Sequence, residues 1–409
     1  MSSPARVAGG ATQASQRGGR LSARYVAIDA DRHLAPGELV WNASGRIVSL
    51  RRARGRVEDL CVLPGLVDAH VHLQIGPLRR AERSFVPWVA AVLEARGEET
   101  EAAQRATARA SIRQLLASGA TAAGEIDSTG ISRAVLGASP LAGRCYRELT
   151  GFHLAGPAAE RLVRQRRRDG TAHVGPGLSP HAPYSVSADL FRAAAAASQH
   201  LAVHCAEVPE EQEFLHTGRG PFAALLARMG RLPEGFRAPR VGAVRWLEQL
   251  GVLRAGTQLV HCQELERGDA ARIAAAGASI AVCPGTIEWF RRTVPPVPTW
   301  LARGIPVALG TDSRASNASF SMVAELARAC RLWPDLSPAQ VFAMATRHGG
   351  AALGRRDLGI LRRSGRADFL AVSAGDSFHG TLERFVHGVA SPVFVVCRGR
   401  RLAVRDLRR

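Results

Sequence analysis

Short apolar runs alternate with longer, alanine-rich segments through the middle of the chain. The runs have the length and composition of buried strands, and the segments between them repeat apolar residues at helical spacing. Eight strand-like runs stand at residues 66–73, 120–127, 145–152, 173–181, 201–207, 257–262, 279–285 and 306–312. This alternation is typical of βα units around a parallel sheet and predicts an α/β fold.

Between the runs, helical spacing is clearest at residues 101–117, 188–198, 240–250 and 268–276. Eight successive βα units predict a (β/α)8 TIM barrel, a fold of typically about 250 residues that grows by insertions. Residues 208–240 form a long connection after the fifth predicted strand. We expect an inserted loop there, over the active-site face.

Both ends of the chain carry short strand-like segments separated by turn residues. The first part, residues 21–62, is too short to bury a core alone, and residues 359–409 have a similar pattern. We therefore predict that the two ends pair into one small β-sandwich domain beside a barrel at residues 63–358. Residues 1–20 are rich in Gly, Ser, Ala and Arg, which predicts a disordered tail.

The formal net charge of +19 would by itself favour a nucleic-acid partner. The chain contains no lysine, however, so all 54 basic residues are arginines, clustered only briefly at 51–56, 164–168 and 398–401. Scattered arginines are better explained as solvated surfaces. We therefore expect no nucleic-acid partner.

The seven cysteines occur singly and in odd number, which excludes a disulfide framework and a cysteine-based zinc site. No apolar run approaches the ~18 residues of a membrane span. The N-terminal segment lacks the apolar stretch of a secretory signal. These features predict a cytoplasmic protein with no membrane partner.

The segment LPGLVDAHVHL, residues 63–73, ends in two histidines one residue apart. Residues i and i+2 of a strand point to the same face, so His70 and His72 would present two imidazoles side by side. That is a partial metal site, although such a pair alone is also compatible with ordinary hydrogen bonding.

The ends of the other predicted strands add further reactive side chains: His181, His204, Glu207, His261 and Asp312. Active sites of TIM barrels lie at the carboxyl ends of their strands, so these side chains are expected to meet. Three nitrogens and one carboxylate from His70, His72, His204 and Asp312 would suit Zn²⁺ or Fe²⁺ with one position open for water. Without lysine the chain cannot form a carbamylated-lysine bridge, so we predict a single metal ion.

The sequence resembles the amidohydrolase superfamily, in particular the metal-dependent aminohydrolases that include S-adenosylhomocysteine/methylthioadenosine deaminases, guanine deaminases and chlorohydrolases. The resemblance covers nearly all of residues 63–373. It is carried by LPGLVDAHVHL (63–73), SPHAPYSVS (179–187), HCAEVPEE (204–211), LVHC (259–262), CPGT (283–286), LGTDSRASN (309–317) and GILRRSGRAD (359–368).

The resemblance implies a role for each matching residue. The metal ligands would be His70, His72, His204 and Asp312. Asp312 would also take a proton from the attacking water, and His261 would hydrogen-bond the nucleophile or the developing oxygen. Glu207 would carry a proton to a ring nitrogen and help ammonia leave, which favours deamination of a purine, an adenosine-type nucleoside or a related amino-heterocycle.

Two substrate contacts are also implied by the resemblance, at His181 and at Glu94, although an exposed glutamate is the ordinary interpretation of Glu94. Ser313, Trp289 and Phe290 depart from the pattern of the nucleoside deaminases and leave the substrate open. Glu125, Asp127 and Glu148 lie at the ends of the second and third predicted strands and are expected to point toward the same barrel mouth. Pocket polarity and hydrogen bonds at the barrel end are equally compatible with them.

Two alternatives stay open at the level of sequence. One is a hydrolase of the same fold that removes a halide or opens a cyclic amide. The other is a non-catalytic, nucleic-acid-associated protein. The absence of a metal ligand from the sequence would favour that interpretation, but all four ligands are present. A small-molecule substrate is expected in either enzymatic case, and homo-oligomers are frequent among relatives.

Overall fold

The computed structural model describes residues 18–407. Its strands are β1 (Gly19–Ala27), β2 (His33–Leu34), β3 (Gly37–Trp41), β4 (Ile47–Arg52), β5 (Glu58–Pro64), β6 (Leu66–Val71), β7 (Ala120–Asp127), β8 (Ala142–Leu149), β9 (Val174–Pro180), β10 (Leu201–Cys205), β11 (Thr257–His261), β12 (Ser279–Val282), β13 (Val307–Leu309), β14 (Phe369–Ser373), β15 (Phe394–Cys397) and β16 (Arg400–Ala403).

Strands β6 to β13 form the predicted parallel barrel, in which each strand pairs with the next along the chain. A parallel bridge between Val71 and Asp312 joins the last strand region to the first. Seven of the eight predicted runs contain a barrel strand, and the third, 145–152, overlaps β8. The third strand begins at Ala142 rather than at 145, because Gly143, with φ +135°, lies within it and resembles a turn residue in the sequence.

The strands of the two chain ends form a second sheet in the order β16-β15-β14-β5-β1-β3-β4, with β2 beside β1. Strand β5 lies parallel to β1 and antiparallel to β14, which joins the two ends as predicted. The chain leaves this sheet at Pro64 and enters the barrel at Leu66. Gly65 is required at this passage because a Cβ there would lie 2.1 Å from Oγ1 of Thr121.

The predicted domain limits stay predictions, and most of the predicted tail, residues 1–17, lies outside the described residues. The described part begins with strand β1 at Gly19. Among residues 18–407, none of the helices combines the length and the apolar character that a bilayer crossing requires.

The helices are α1 (Phe85–Glu98), α2 (Glu101–Ala117), α3 (Ile131–Ala138), α4 (Gly156–Arg166), α5 (Ala188–Ala197), α6 (Pro209–Thr217), α7 (Pro221–Arg228), α8 (Ala243–Gln249), α9 (Asp269–Ala276), α10 (Pro284–Phe290), α11 (Val297–Ala302), α12 (Met322–Leu332), α13 (Pro338–Met344), α14 (Arg347–Ala352), α15 (Phe378–Val386) and α16 (Val404–Leu407). The four helices predicted from spacing are α2, α5, α8 and α9.

The connection after the fifth barrel strand contains two helices, α6 and α7, where the sequence predicted only an inserted loop. Helices α6 and α7 each begin with a proline in the first turn, a position that lacks an intrahelical partner for the backbone N–H. The partly exposed Glu210 in the first turn of α6 also complements the positive end of its dipole. These local signals cover only a few residues. The helices in this connection therefore also depend on the apolar residues of α7, which pack at the barrel mouth.

Candidate active site

The carboxyl ends of β6 and β10 bring three imidazoles together with the carboxylate that follows β13. Nε2 of His72 lies 3.4 Å from Nε2 of His204. Oδ1 of Asp312 lies 3.7 Å from Nε2 of His70 and 3.7 Å from Nε2 of His72. The structure therefore gathers all four residues for which the sequence predicted metal binding.

The hydrogen bonding of these imidazoles fits a bound cation. Both ring nitrogens of His70 and Nδ1 of His72 are buried and have no partner within residues 18–407. Nδ1 of His204 lies 3.0 Å from the carbonyl oxygen of His181, which places the proton on Nδ1 and leaves Nε2 free as a ligand. Buried polar atoms without partners are costly, and a metal ion at this point would satisfy Nε2 of His70, the ring nitrogen that faces Oδ1 of Asp312.

The two oxygens of Asp312 have different surroundings. Oδ1 faces the histidines, whereas Oδ2 accepts hydrogen bonds from Oγ1 of Thr286 at 2.9 Å and from Oγ of Ser316 at 2.7 Å. Burial by itself raises the pKa of this carboxyl, but His70 and the neighbouring imidazoles outweigh burial and hold the pKa well below its usual value. The aspartate is thus an oriented anion.

Thr286 and Ser316 were missed as functional residues in the sequence. Both lie within segments that carry the family resemblance, CPGT and LGTDSRASN, and that was the available clue. The hydroxyl of Thr286 could not be assigned to Asp312 from spacing, because Thr286 belongs to α10, after β12, and Asp312 follows the neighbouring strand β13.

Glu207 lies beside this cluster, after β10. Its Oε1 is 3.5 Å from Nε2 of His261 and accepts a hydrogen bond from Nη1 of Arg292 at 3.0 Å. Its backbone N–H donates to Oε2 of Glu211 at 2.8 Å. Burial raises the pKa of Glu207, and the charge of Arg292 opposes this rise. A carboxyl with a raised pKa is suited to exchange a proton near neutral pH.

His261 also belongs to the cluster, since one nitrogen from each of His70, His204 and His261 lies within 4.8 Å of the others. Burial lowers the pKa of His261 well below its usual value, so the ring is neutral. The backbone of His261 has φ +74° and that of Asp312 has φ +60°. Such conformations are unfavourable for residues with side chains and are typical of functional sites, where surrounding contacts enforce them.

A cavity of about 140 Å³, partly open to solvent, lies next to the histidines. His181 lines it, with Nδ1 2.7 Å from Oγ of Ser185, as does Tyr184, whose ring stacks on Phe222 at 3.9 Å. Helices α1 and α7 supply an apolar wall. The side chains of this wall are Phe85, Trp88, Val89, Val92, Leu93, Phe222, Leu225 and Leu226.

Glu94 lies elsewhere. Its side chain is exposed on α1 and borders a separate surface groove, and the structure does not bring it to the histidines. The direction of a side chain on a helix depends on how the helix packs, which the sequence left undetermined. Arg96 of the same helix and Glu148, near the carboxyl end of β8, do line the cavity.

Glu125 and Asp127 make polar contacts within the protein at the carboxyl end of the barrel. Oε2 of Glu125 accepts a hydrogen bond from the backbone of Leu73 at 2.9 Å. Oδ1 of Asp127 accepts from Oγ of Ser132 at 3.0 Å and lies 3.3 Å from Nη1 of Arg147. Of the three carboxylates that the sequence left open, only Glu148 therefore lines the cavity.

Trp289 and Phe290 join α10 to the segment before α1. Nε1 of Trp289 donates to the carbonyl of Glu82 at 3.0 Å, and the guanidinium of Arg83 lies 4.1 Å from the tryptophan ring. The ring of Phe290 is 5.7 Å from that of Phe85. These aromatic residues thus hold one edge of the apolar wall in place.

A parallel (β/α)8 barrel with imidazoles and a carboxylate at the carboxyl ends of its strands defines a metal-dependent hydrolase. Comparison with known proteins agrees, because residues 61–402 match the amidohydrolase family. The chain belongs to this family.

Three individual proteins illustrate the similarity. The chain is 32% identical to an aminodeoxyfutalosine deaminase of Deinococcus radiodurans over 324 residues, which cover 72% of this chain and 74% of the relative. It is 27% identical to a 5-methylthioadenosine/S-adenosylhomocysteine deaminase of Moorella thermoacetica, over 77% of this chain and 73% of the relative. The crystal structure of an atrazine chlorohydrolase of Arthrobacter aurescens complexed with zinc has the same fold, with a TM-score of 0.77, 20% identity and coverage of 94% and 95%.

Proposed function

We propose that the protein is a mononuclear zinc-dependent deaminase that hydrolyses the exocyclic C–N bond of an adenosine-type nucleoside or a related amino-heterocycle and releases ammonia. The observation that supports this most strongly is Glu207, a buried carboxyl beside the histidine cluster and on the wall of the cavity. Two relatives named as deaminases of adenosine-type compounds agree with it.

The zinc ion would be held by His70, His72, His204 and Asp312, whose facing nitrogens and oxygen have the composition of a catalytic zinc site. When bound there, zinc lowers the pKa of water and so supplies a nucleophile near neutral pH. Fe²⁺ is compatible with the same donor set.

The side chains of the protein would handle the protons. Asp312 takes one proton from the water as its oxygen adds to the ring carbon that carries the amino group. Glu207 donates a proton to the adjacent ring nitrogen, which makes the carbon more electrophilic. The proton on Asp312 then passes to the amino group, the C–N bond breaks and ammonia leaves.

As the carbonyl of the product forms, the proton of the added hydroxyl returns to Glu207, which restores the starting state. His261 hydrogen-bonds the oxygen that develops charge. The neutral ring of His261 and the anionic Asp312 are the forms that these roles require.

The cavity favours a small, largely planar substrate with an apolar substituent. Its apolar wall would cover such a substituent, while His181, Arg96 and Glu148 offer the polar contacts. We further propose that the protein acts in the cytoplasm on a small molecule, without a nucleic-acid or membrane partner, and that any assembly is a homo-oligomer.

A substrate panel tests this function. The zinc-loaded protein is incubated with adenosine, S-adenosylhomocysteine, methylthioadenosine, aminofutalosine-type nucleosides, guanine, cytosine, a chlorinated heterocycle and a cyclic amide. Ammonia release and the ultraviolet change are measured for each. We expect ammonia from at least one adenosine-type nucleoside. Turnover of a chlorinated or cyclic-amide compound alone, without ammonia from any aminated ring, would favour the same-fold alternative.

A further inference from the structure

The carboxylate of Glu207 is held asymmetrically by a residue to which no role has so far been assigned. Nη1 of Arg292 donates to Oε1 of Glu207 at 3.0 Å and to Oε1 of Gln263 at 2.8 Å. His261 also approaches the same Oε1, at 3.5 Å. Within residues 18–407 no group donates a hydrogen bond to Oε2 of Glu207, whose side chain lines the cavity.

Arg292 itself is fixed in place. Its guanidinium lies 4.4 Å from the ring centre of Phe290 and 4.9 Å from that of Phe85, so two aromatic rings restrain it by cation–π contacts. The side chain is 9% exposed. Because Phe85 begins α1, Phe290 ends α10 and Gln263 follows β11, the guanidinium is bound by three separate segments.

A fixed donor on one oxygen determines what the other can do. A carboxylic acid carries its proton on one oxygen and accepts hydrogen bonds on the other. Arg292 can donate but cannot accept, so a proton on Oε1 would face a cation, whereas a proton on Oε2 would not. The pairing therefore selects Oε2 as the protonated atom.

We propose that Arg292 is a positioning residue, which holds Oε1 of Glu207 and so directs Oε2 to carry the proton to the substrate ring. This inference rests on the proposed function, because it requires Glu207 to be the proton carrier. Arg292 does not line the cavity around the histidines, which argues against direct contact with the reacting ring.

Steady-state kinetics on the best substrate test the proposal with Arg292→Met, Arg292→Lys and, as the matched control, the exposed neighbour Arg291→Met. We expect Arg292→Met to lower kcat about 10²-fold, within the range of a general acid's contribution, with KM close to that of the unchanged protein. Arg292→Lys should recover part of the loss, and Arg291→Met should match the unchanged protein. A raised KM at unchanged kcat would overturn the proposal, because it would indicate substrate binding.

A double-mutant cycle separates positioning from a general structural effect. If Arg292 acts through Glu207, Arg292→Met should cause no further loss of rate in a Glu207→Gln background. The same loss in both backgrounds would overturn the positioning role while leaving the proposed function intact. A Glu207→Gln protein with full deaminase activity would instead contradict the proposed function itself.

Chemical rescue guards against variants that fold poorly. Guanidinium chloride at millimolar concentration should raise the rate of Arg292→Gly, since the ion can occupy the space between Phe85 and Phe290, whereas urea and sodium chloride should not. Arg291→Gly should show no response to guanidinium. A response to none of the three additives by a folded Arg292→Gly protein would count against the proposal.

Discussion

The Nε2 atoms of His72 and His204 face each other at 3.4 Å, a separation that a shared metal ion accounts for. We expect the purified protein to bind about one equivalent of zinc, as the four-ligand set predicts. Chelation should abolish activity and lower Tm, because the ion stabilises only the folded state, and added zinc should restore both. Elemental analysis and thermal unfolding measure this.

A histidine control makes the metal prediction specific. His72→Gln should lose zinc and activity together, whereas His153→Gln, at an exposed position, should retain both. Zinc-free protein with full activity would contradict the metal site.

The hydrogen bonds that Thr286 and Ser316 donate to Oδ2 of Asp312 should also affect activity. Thr286→Val and Ser316→Ala each remove one hydrogen bond to this oxygen and should lower kcat or zinc affinity by roughly 10- to 100-fold, as for other groups that orient metal ligands. The hydroxyl of Ser319 makes no hydrogen bond within residues 18–407, so Ser319→Ala should have no effect. Equal activity in all three variants would mean that Asp312 needs no orientation.

Glu148 and Glu94 differ in their relation to the cavity. Glu148→Gln removes a charge from the cavity wall and should raise KM about tenfold, the equivalent of one charge-assisted hydrogen bond. Glu94→Gln should change KM far less, and Glu98→Gln, exposed on the same helix, serves as the control. A larger rise in KM for Glu94→Gln than for Glu148→Gln would instead indicate that Glu94 contacts the substrate, as the family resemblance implied.

The stability of the protein should depend on pH through Glu211. Burial raises the pKa of this carboxyl from 4.5 to about 8. Between these values the folded state keeps the proton and the unfolded state loses it, so stability falls as pH rises, by at most about 1.4 kcal/mol per pH unit.

Glu211→Gln should therefore show a Tm that improves, relative to the unchanged protein, from pH 5 to pH 8. Glutamine keeps an oxygen that can accept from the backbone of Glu207. Glu213→Gln, exposed on the same helix, should show a constant difference over this range. A constant difference for Glu211→Gln as well would show that its carboxyl does not titrate in this way.

The sequence predicted the barrel and the grouping of the four proposed ligands because both follow from regular geometry. The alternation of a strand places His70 and His72 on one face, and parallel strands end at one side of the barrel. The positions of Arg292 and Glu148 relative to the site depend instead on how connecting segments and side chains pack. The contact between Arg292 and Glu207 joins two loops of different βα units, and no local pattern specifies it.

If Glu207 transfers the proton that makes C–N cleavage possible, its conversion to glutamine should stop deamination without disturbing the metal site. Ammonia release by zinc-loaded Glu207→Gln is measured beside that of Glu213→Gln and the unchanged protein, on the best adenosine-type substrate. We expect a loss of about 10²- to 10⁴-fold for Glu207→Gln alone, with zinc content and Tm retained. Undiminished ammonia release by Glu207→Gln would contradict this role of Glu207.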